Sequence, residues 1–415
     1  MRKIVIRDRR KIAPFNEPAR ELRVVNLPLW LHQRDVLAPY CSTEIEVDSS
    51  DDIPAANGEM LIYRDNLYFD EDFIGVFIAE AKASGKARRV AFSANDRAIV
   101  QHALPLASGI QQQGNLYVAD LWYYPDGLEE NVEPLVVSTE AKEIGYYHVP
   151  TYVANESGEV IYYVPLRAFL SIESWVHIFM ANSPFGIFSR GAKMEHEVGK
   201  WQVKARVFLR SLLERKQFLC NSLLVRVGKN CQIDPSAIIQ GPTLIGDNVT
   251  IGPGVMIGNC IIGSNVNVMQ GCQLLLSVVG DGCYLPFRAA LFMTTLMENS
   301  MLAQNACLQL CVVGRNSFVG AGTTFADFNL IPKPVRTMHE GTLQSTGLNV
   351  LGGCVGHNCR IGAGITIYPG RTIESDTVLI RSERRSVVDR NVSYEQSDHH
   401  TLPDAKKHRR VYFRN

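Results

Sequence analysis

A repeat of six residues occupies most of the second half of this 415-residue chain. From Val227 onward, an aliphatic residue followed by glycine, or a close substitute, opens unit after unit, as in IGDNVTIGPGVMIG from Ile245. The pattern continues with interruptions to about Ile380. A period of six is typical of a prism with three flat faces, in which each face takes one unit per turn. The repeat therefore predicts a left-handed parallel β-helix, with aliphatic residues inside and glycine, asparagine or aspartate at its corners.

The cysteines follow the same repeat. Nine of the ten lie at or after Cys220, and Cys231, Cys283 and Cys359 take the fifth position of a unit, which points inward and needs a small side chain. No C-x-x-C pair occurs, and stacked inward positions cannot converge on an ion as tetrahedral zinc requires. We therefore predict small apolar core residues. Thiols without the pattern of a secreted disulfide domain indicate a reducing compartment.

Composition argues against several function classes. The chain has 42 basic and 42 acidic residues, so its overall charge favours neither nucleic acid nor an acidic membrane as a partner. The opening MRKIVIRDRR is too charged for a secretory signal, and no uncharged run is as long as a bilayer span. These features predict a cytoplasmic protein with no membrane span and no nucleic-acid partner.

The rest of the chain divides around the repeat. We predict an α/β domain over residues 1–190, a connecting helix over 191–222, the β-helix over 223–382 and a polar, basic tail over 383–415. Prisms of this kind usually self-associate through an outer face, and a threefold homotrimer is the expected assembly.

Two flanking segments have open interpretations. The connecting helix carries basic residues beside an apolar row, which suits packing on the first coil of the prism; a role at a membrane surface is the alternative. The apolar row is Val207, Leu209, Leu212 and Leu213. For the tail we expect an arm on a neighbouring subunit, or a clamp for the phosphates of coenzyme A or a nucleotide. His399 and His400 are expected to be exposed.

Between residues 290 and 310 the repeat loses its glycines but stays apolar. Met293, Met297 and Met301 are spaced as in a helix, but regular coils on both sides favour a continuous β-helix with apolar side chains on its outer surface. We expect this surface to be buried between subunits. A groove for an acyl chain or a membrane is the alternative.

The segment VGAGTTFADFN, from Val319 to Asn329, and the later STGLNVLGGCVGHNCRIGAGITIYPGRTI carry a family resemblance. They resemble the acetyltransferase half of the bifunctional N-acetylglucosamine-1-phosphate uridylyltransferase/glucosamine-1-phosphate acetyltransferase family. The resemblance implies a homotrimer, a sugar phosphate or sugar nucleotide as substrate, and acetyl-CoA or another acyl-CoA as donor. It places the family's catalytic histidine on Gln304 and its substrate-binding loop on Asp327 to Asn329. Glutamine cannot accept the proton that an amine acceptor loses.

Two histidines are candidates for the missing base. His339 lies in a long insertion from Asp327 to about Val350, and unstructured loops of that length tend to be functional. His357 occupies an outward corner of a regular unit, where a solvated or interface histidine is the alternative. We predict His339 as the base ahead of His357, with the corner near Gln304 holding the acceptor.

The first half resembles sugar-1-phosphate nucleotidylyltransferases. In EMLIYRDNLYF a strand ends at Asp65, which carries over as a ligand of the catalytic magnesium. The opening APFNEPARELRV matches the family's arginine motif through Arg23, a candidate for binding substrate. In LSIESWVHIFMAN the second magnesium aspartate falls on Ser171, and Glu173 two residues later is the predicted second ligand. No glycine-rich loop that would cradle a triphosphate precedes these motifs.

These features predict a transferase acting on sugar phosphates or sugar nucleotides, with both inherited active sites partly changed. One alternative is a non-catalytic trimer that binds a sugar nucleotide or serves as a scaffold. The other is a divergent sugar-1-phosphate nucleotidylyltransferase that uses Mg²⁺ through Asp65 together with Arg23.

Overall fold

The computed structural model describes residues 1–54, 57–148, 159–329, 333–383 and 385–414. An α/β domain comes first and a parallel β-helix follows it, as the sequence predicted. The two are packed together, because one buried apolar cluster contains residues of both.

A mixed sheet forms the centre of the first domain. In spatial order its strands are Glu133–Val136, Arg88–Ser93, Leu116–Tyr124, Met60–Arg64, Arg2–Ile6 and Thr43–Val47, with Ile110–Gln113 added beside Leu116–Tyr124. The strand Arg2–Ile6 is parallel to both of its neighbours. Because parallel strands end at the same edge of a sheet, Asp8 lies next to Asp65, and its backbone N–H donates a hydrogen bond to Asp65 Oδ1 at 2.7 Å.

Five α-helices complete the described part of the chain outside the prism. They are α1 (Leu29–Leu37), α2 (Glu71–Ser84), α3 (Trp175–Asn182), α4 (Ser189–Gly199) and α5 (Trp201–Glu214). Helix α2 begins where the Asp70 side chain accepts a hydrogen bond from the Phe73 N–H, and it ends at Gly85 with φ +63°. Short strand pairs are Lys11–Ile12 with Glu17–Pro18, Arg23–Val24 with Leu27–Pro28, Leu67–Phe69 with Phe169–Ser171, and Lys142–His148 with Glu159–Val164.

The prism has three faces, each a parallel sheet of eight strands. The first face comprises Val225–Val227, Thr243–Ile245, Ile261–Ile262, Val278–Val279, Thr295–Leu296, Val312–Val313, Cys354–Val355 and Thr372–Ile373. The second comprises Gln232–Ile233, Thr250–Ile251, Asn267–Val268, Tyr284–Leu285, Met301–Leu302, Phe318–Val319, Arg360–Ile361 and Val378–Leu379. The third comprises Ile238–Gln240, Met256–Gly258, Gln273–Leu275, Ala290–Phe292, Cys307–Gln309, Thr324–Phe325, Thr366–Ile367 and Val387–Val388.

Inward stacking explains why this sequence coils. On the first face the leading aliphatic residues stack in the order Ile245, Ile262, Val279, Leu296 and Val313. Each is at most 5% exposed. At the corners, asparagine adopts the left-handed backbone conformation, as at Asn248 with φ +56°.

Six cysteines of the prism are buried, including Cys283 and Cys359 as predicted, whereas Cys231 is only partly buried against the core. All ten cysteines are free, and Cys283 and Cys359 are fully buried. Burial raises the pKa of each of these two thiols to about 12, so they stay protonated and behave as small apolar side chains.

Residues 290–310 continue the β-helix, as predicted. Part of their apolar surface, however, is not covered by a neighbouring subunit as we expected. Met293 and Met297 are 0% and 1% exposed within a single chain, and they belong to the same buried cluster as Trp175 and Phe179 of α3. The expected burial between subunits is therefore wrong for these two methionines, because the chain's own first domain covers this part of the prism.

The connecting segment also differs from our prediction. It forms two helices that break at Lys200, where ψ is +124°. Within α5 only Val207 and Ser211 are buried, and Leu209, Leu212 and Leu213 are exposed. The apolar row therefore does not pack on the first coil. No helix in the described residues is long and apolar enough to cross a membrane.

The tail packs on its own chain. Arg410 Nη2 donates to Glu374 Oε1 at 2.8 Å, and the backbone N–H groups of Val411 and Tyr412 donate to Asp376 Oδ2. His399, predicted to be exposed, is buried because the surrounding tail folds over it. The tail therefore contacts both the last coils and the first domain and links the two.

Substitution of Met297 tests the packing between the domains. We expect Met297→Ala to lower the free energy of unfolding by about 2–5 kcal/mol, because the cavity left by a buried methionine collapses only in part. The measurement is urea-induced unfolding followed by tryptophan fluorescence. Leu128→Ala is the matched control, since that side chain is 45% exposed and its loss should change stability by no more than about 0.5 kcal/mol. Equal effects of the two changes would contradict this packing.

Candidate functional site

A pocket of about 710 Å³ lies where the first domain, the 327–350 insertion, the last coils and the tail meet. Its charged and titratable lining residues are Asp8, Arg10, Lys11, Glu173, His339, Glu340, Glu374 and Arg414. Four parts of the molecule therefore contribute to one cavity, and the first domain does so through two separate stretches, 8–19 and 172–174. Of the eight predicted site residues, Glu173 and His339 line this pocket.

Glu173 is held by donors on every side. Its carboxylate accepts hydrogen bonds from the Ser108 N–H and hydroxyl, the Gly109 N–H and the Ser171 hydroxyl, at 2.5 to 2.9 Å, and from Arg10 at 3.2 Å. Position 109 needs glycine, because a Cβ there would lie 2.6 Å from Ser171 Oγ. Burial alone would raise the pKa of Glu173, but these hydrogen bonds outweigh it and lower the pKa to about 2.

Asp65 is held in a similar way at the neighbouring strand end. Its Oδ1 accepts the Asp8 N–H, and its Oδ2 pairs with Arg20 at 3.2 Å. Burial raises the pKa of Asp65 to about 6. The Asp8 side chain in turn binds Arg10, which also reaches Glu173. Arg10 therefore lies between Asp8 and Glu173, and the two carboxyl groups predicted as magnesium ligands pair with different arginines, Glu173 with Arg10 and Asp65 with Arg20.

The two predicted metal ligands do not form a magnesium site in this arrangement. Glu173 lines the large pocket, whereas Asp65 lines a separate cavity of about 40 Å³ beside Arg20. Both carboxylates already accept hydrogen bonds and pair with arginine, and a hard cation requires those same oxygens. Across the described ranges, no group of three or more His, Cys, Asp and Glu side chains is arranged to hold a metal ion. The residues therefore do not fit the implied Mg²⁺.

A hairpin within the insertion places His339 at the pocket wall. Its strands are Arg336–His339 and Thr342–Ser345, and Trp175 of α3 fixes it by donating from Nε1 to Thr337 Oγ1 at 2.9 Å. The described part of the insertion from Arg336 to Ser345 is thus a hairpin rather than an irregular loop. Burial lowers the pKa of His339, while Glu340 and Glu173 oppose that shift. The ring is therefore neutral at pH 7 and able to accept a proton.

Gln304 and His357, the other two catalytic candidates, lie on two different edges of the prism, and neither lines the pocket. Gln304 is at a corner between the second and third faces. His357 is at a corner between the first and second faces and is completely buried, which excludes the solvated alternative and agrees with the interface one. The N-terminal segment and the tail cover it, with the rings of Phe15 and Tyr412 at 5.0 and 4.8 Å. His357 therefore belongs to the domain interface.

The predicted substrate-binding residues have structural contacts in this chain. Arg23 Nη2 pairs with Glu298 of the prism at 2.7 Å. Asp327 is buried, which raises its pKa to about 6, and Asn329 donates from Nδ2 to the Lys333 carbonyl. The structure does not bring these three residues into the pocket.

Sequence reasoning missed Arg10, Glu374 and Arg414. Arg10 stands in a charged run, RDRR, whose functional partner Glu173 is 163 residues away. Glu374 follows a regular six-residue unit, and its partner Arg414 is in the tail. The basic tail was a usable signal for Arg414, but nothing in the repeat singles out Glu374.

Comparisons with known proteins agree with the predicted resemblance. Residues 225–259 match the family described as bacterial transferase hexapeptide (six repeats). The chain is also similar to proteins named Bifunctional protein GlmU from Pseudoalteromonas atlantica, at 25% identity over 196 residues, and from Ruthia magnifica subsp. Calyptogena magnifica, at 25% over 176 residues. A solved structure from Bacillus cereus, of a protein assigned as an acetyltransferase, matches with 17% identity over 44% of this chain and 87% of its own, with a TM-score of 0.20.

The similarity to the GlmU proteins is partial. The first match covers 43% of this chain and 43% of that relative, and the second covers 38% and 39%. The chain therefore spans less than half the length of these relatives in the matched segment. The chain is therefore similar in part to GlmU proteins and carries hexapeptide repeats.

Because Asp65 and Glu173 already pair with arginine, we predict that magnesium has little effect on the stability of this protein. We expect millimolar Mg²⁺, or EDTA, to leave the midpoint of thermal unfolding unchanged, because a cation would have to displace Arg10 or Arg20 from its carboxylate partners. Differential scanning fluorimetry provides the measurement. A stabilisation by Mg²⁺ that disappears in both Asp65→Asn and Glu173→Gln would contradict it.

The pKa of Glu173 predicts a specific acid sensitivity. Because its pKa falls from 4.5 to about 2 on folding, the carboxylate contributes stability that is complete above about pH 5 and is lost as the pH falls towards 2. The full contribution is on the order of 3 kcal/mol. Glu173→Gln should therefore differ most from the natural protein near neutral pH and progressively less in acid. Unfolding measurements between about pH 2.5 and pH 7 test this, and a pH-independent difference would contradict it.

Proposed function

We propose that this protein is an acyltransferase of the hexapeptide type, which acts on a sugar phosphate or sugar nucleotide bound in the pocket between its two domains. In this proposal His339 is the general base and an acyl-CoA, such as acetyl-CoA, is the donor. The supporting observation is the position of His339, a half-buried neutral imidazole at the wall of a large pocket near Arg10 and Glu173.

The residues that line the pocket favour a ligand that has anionic, polar and apolar parts. Lys11, which pairs with no carboxylate among the described residues, provides a cation that suits a phosphate group, whereas Arg10 and Arg414 are already paired with carboxylates. Carboxylates at the same pocket suit the hydroxyl or amino groups of a sugar, since ionised carboxylates accept hydrogen bonds. Ile172 and Met338 add apolar surface on which a sugar ring could pack. An amino-sugar phosphate carries each of these groups.

The proposed reaction needs one proton acceptor. The amine of the acceptor attacks the carbonyl carbon of the thioester, the carbon–sulfur bond breaks, and the thiolate of coenzyme A leaves. His339 takes the proton that the amine loses and then gives it to the thiolate. Gln304, at the position of the family's base, cannot do this. The lowered pKa of His339 keeps its ring in the accepting form at neutral pH.

We also propose a cytoplasmic homotrimer. Large apolar side chains remain exposed on the outer surface of the prism, at Val227, Ile238, Met256 and Leu275. A neighbouring prism would remove them from water.

A second candidate is a ligand-binding protein without turnover. It is favoured by Gln304 at the family's base position and by the arginine partners of Asp65 and Glu173. The two candidates differ in one respect: a binding protein would hold the sugar ligand without releasing thiol from acyl-CoA.

Replacement of His339 tests the proposed base. We expect His339→Gln to lower kcat for thiol release from acetyl-CoA by about 100-fold or more, the usual contribution of general base catalysis. The natural protein should lose kcat/KM in acid with an apparent pKa below 6.5, because burial lowers the pKa of His339, and the variant should lack this dependence. His196→Gln, at an exposed position of α4, is the matched control. A variant with the natural rate would remove His339 from the mechanism.

A further inference from the structure

Helix α5 turns an apolar face to solvent. Its five large apolar side chains, other than the buried Val207 and the half-buried Val203, are 55% to 80% exposed. They are Trp201, Phe208, Leu209, Leu212 and Leu213. This surface is unusual for the chain, because Trp201 and Leu213 are among the most exposed apolar residues in the described structure, at 76% and 80%.

A narrow contact attaches the helix to the body. Val207 and Ser211 are its buried residues, and Asn221 donates from Nδ2 to Ser211 Oγ at 2.9 Å. Successive helical residues rotate by about 100°, so Trp201, Phe208 and Leu212 fall along one line on a different side from this attachment. The apolar face is therefore directed away from the protein's own core.

Basic residues flank the apolar face. Residues 200–216 contain six lysines and arginines and one glutamate, although the whole chain is electrically balanced. On the helical projection Lys204 lies on one side of the apolar line, and Arg206 and Arg210 lie on the other. Glu214, the one acidic residue, pairs with Arg210. An apolar strip between two basic borders is typical of helices that lie in a membrane interface.

We propose that α5 docks this protein on an anionic lipid bilayer. Trp201, Phe208 and Leu212 enter the boundary between headgroups and acyl chains, and Lys204 and Arg206 contact lipid phosphates, with their long stems along the apolar strip. The attachment is peripheral and does not depend on the proposed acyltransferase activity.

Charge favours a lipid surface over a second copy of the chain. Two α5 helices packed through their apolar faces would bring their basic borders together, and the repulsion would oppose association. Anionic headgroups instead neutralise the same borders while the apolar strip leaves water. The neutral overall composition does not conflict with this, because the attraction depends on the charge near the membrane within about 10 Å.

Sedimentation with lipid vesicles tests the proposal on the full-length protein. The vesicles are phosphatidylcholine alone, or phosphatidylcholine mixed equally with phosphatidylglycerol. Leu212→Gln with Leu213→Gln removes apolar surface and keeps good helix formers, and Lys204→Glu with Arg206→Glu reverses the charge of the borders. Leu128→Gln is the matched control, because it changes a leucine of the first domain that is 45% exposed and lies outside the surface proposed for the trimer.

We expect the natural protein and Leu128→Gln to bind the anionic vesicles, less strongly as salt is raised, and not the neutral ones. Each double variant should bind at least tenfold more weakly, with the same unfolding midpoint and the same mass by light scattering. Absent sedimentation, or equal binding to neutral vesicles, would overturn the proposal. A change of oligomeric state in Leu212→Gln with Leu213→Gln without lipid would also overturn it and would make α5 a contact between copies.

Discussion

Ion pairs with little solvent exposure hold the first domain against one edge of the prism, and the pocket depends on this contact. Arg315 pairs with Glu17 and Glu298, and Glu298 also pairs with Arg23. His357 Nδ1 accepts the Arg315 N–H, so the proton of the neutral ring is on Nε2, which faces Glu17 at 3.3 Å. Removing one partner would leave a charge uncompensated in a poorly hydrated place, which is costly. These contacts therefore favour a single docked arrangement of the two domains.

The pocket is a consequence of that docking. The first domain supplies Arg10 and Glu173, the insertion supplies His339, and the tail supplies Arg414, which pairs with Glu374 of the prism. In the first domain, arginine side chains pair with the buried carboxylates of Asp65 and Glu173. The first domain therefore differs from a magnesium-dependent one, in which such carboxylates would be needed for the cation. The proposed chemistry accordingly relies on a neutral histidine and fixed charges, and the metal that the family resemblance implied has no part in it.

The sequence predicted what depends on local repetition and missed what depends on distant contacts. The period of six was sufficient for the prism, its inward cysteines and its asparagine corners, because each unit makes equivalent contacts with the next. It could not show that Met297 is covered by the first domain, or that His357 lies under the tail, since those partners come from far along the chain. Asp65 was correctly placed at a strand end, but its partner Arg20 was not foreseen.

The most direct test of the account is thermal unfolding of the purified protein in EDTA with an amino-sugar phosphate, with acetyl-CoA and with both. A ligand that binds only the folded protein raises the unfolding midpoint. The account predicts a rise with the sugar phosphate that needs no metal, a rise with acetyl-CoA, and thiol release when both are present. No shift with either ligand, or a shift only with a nucleoside triphosphate and added Mg²⁺, would contradict it.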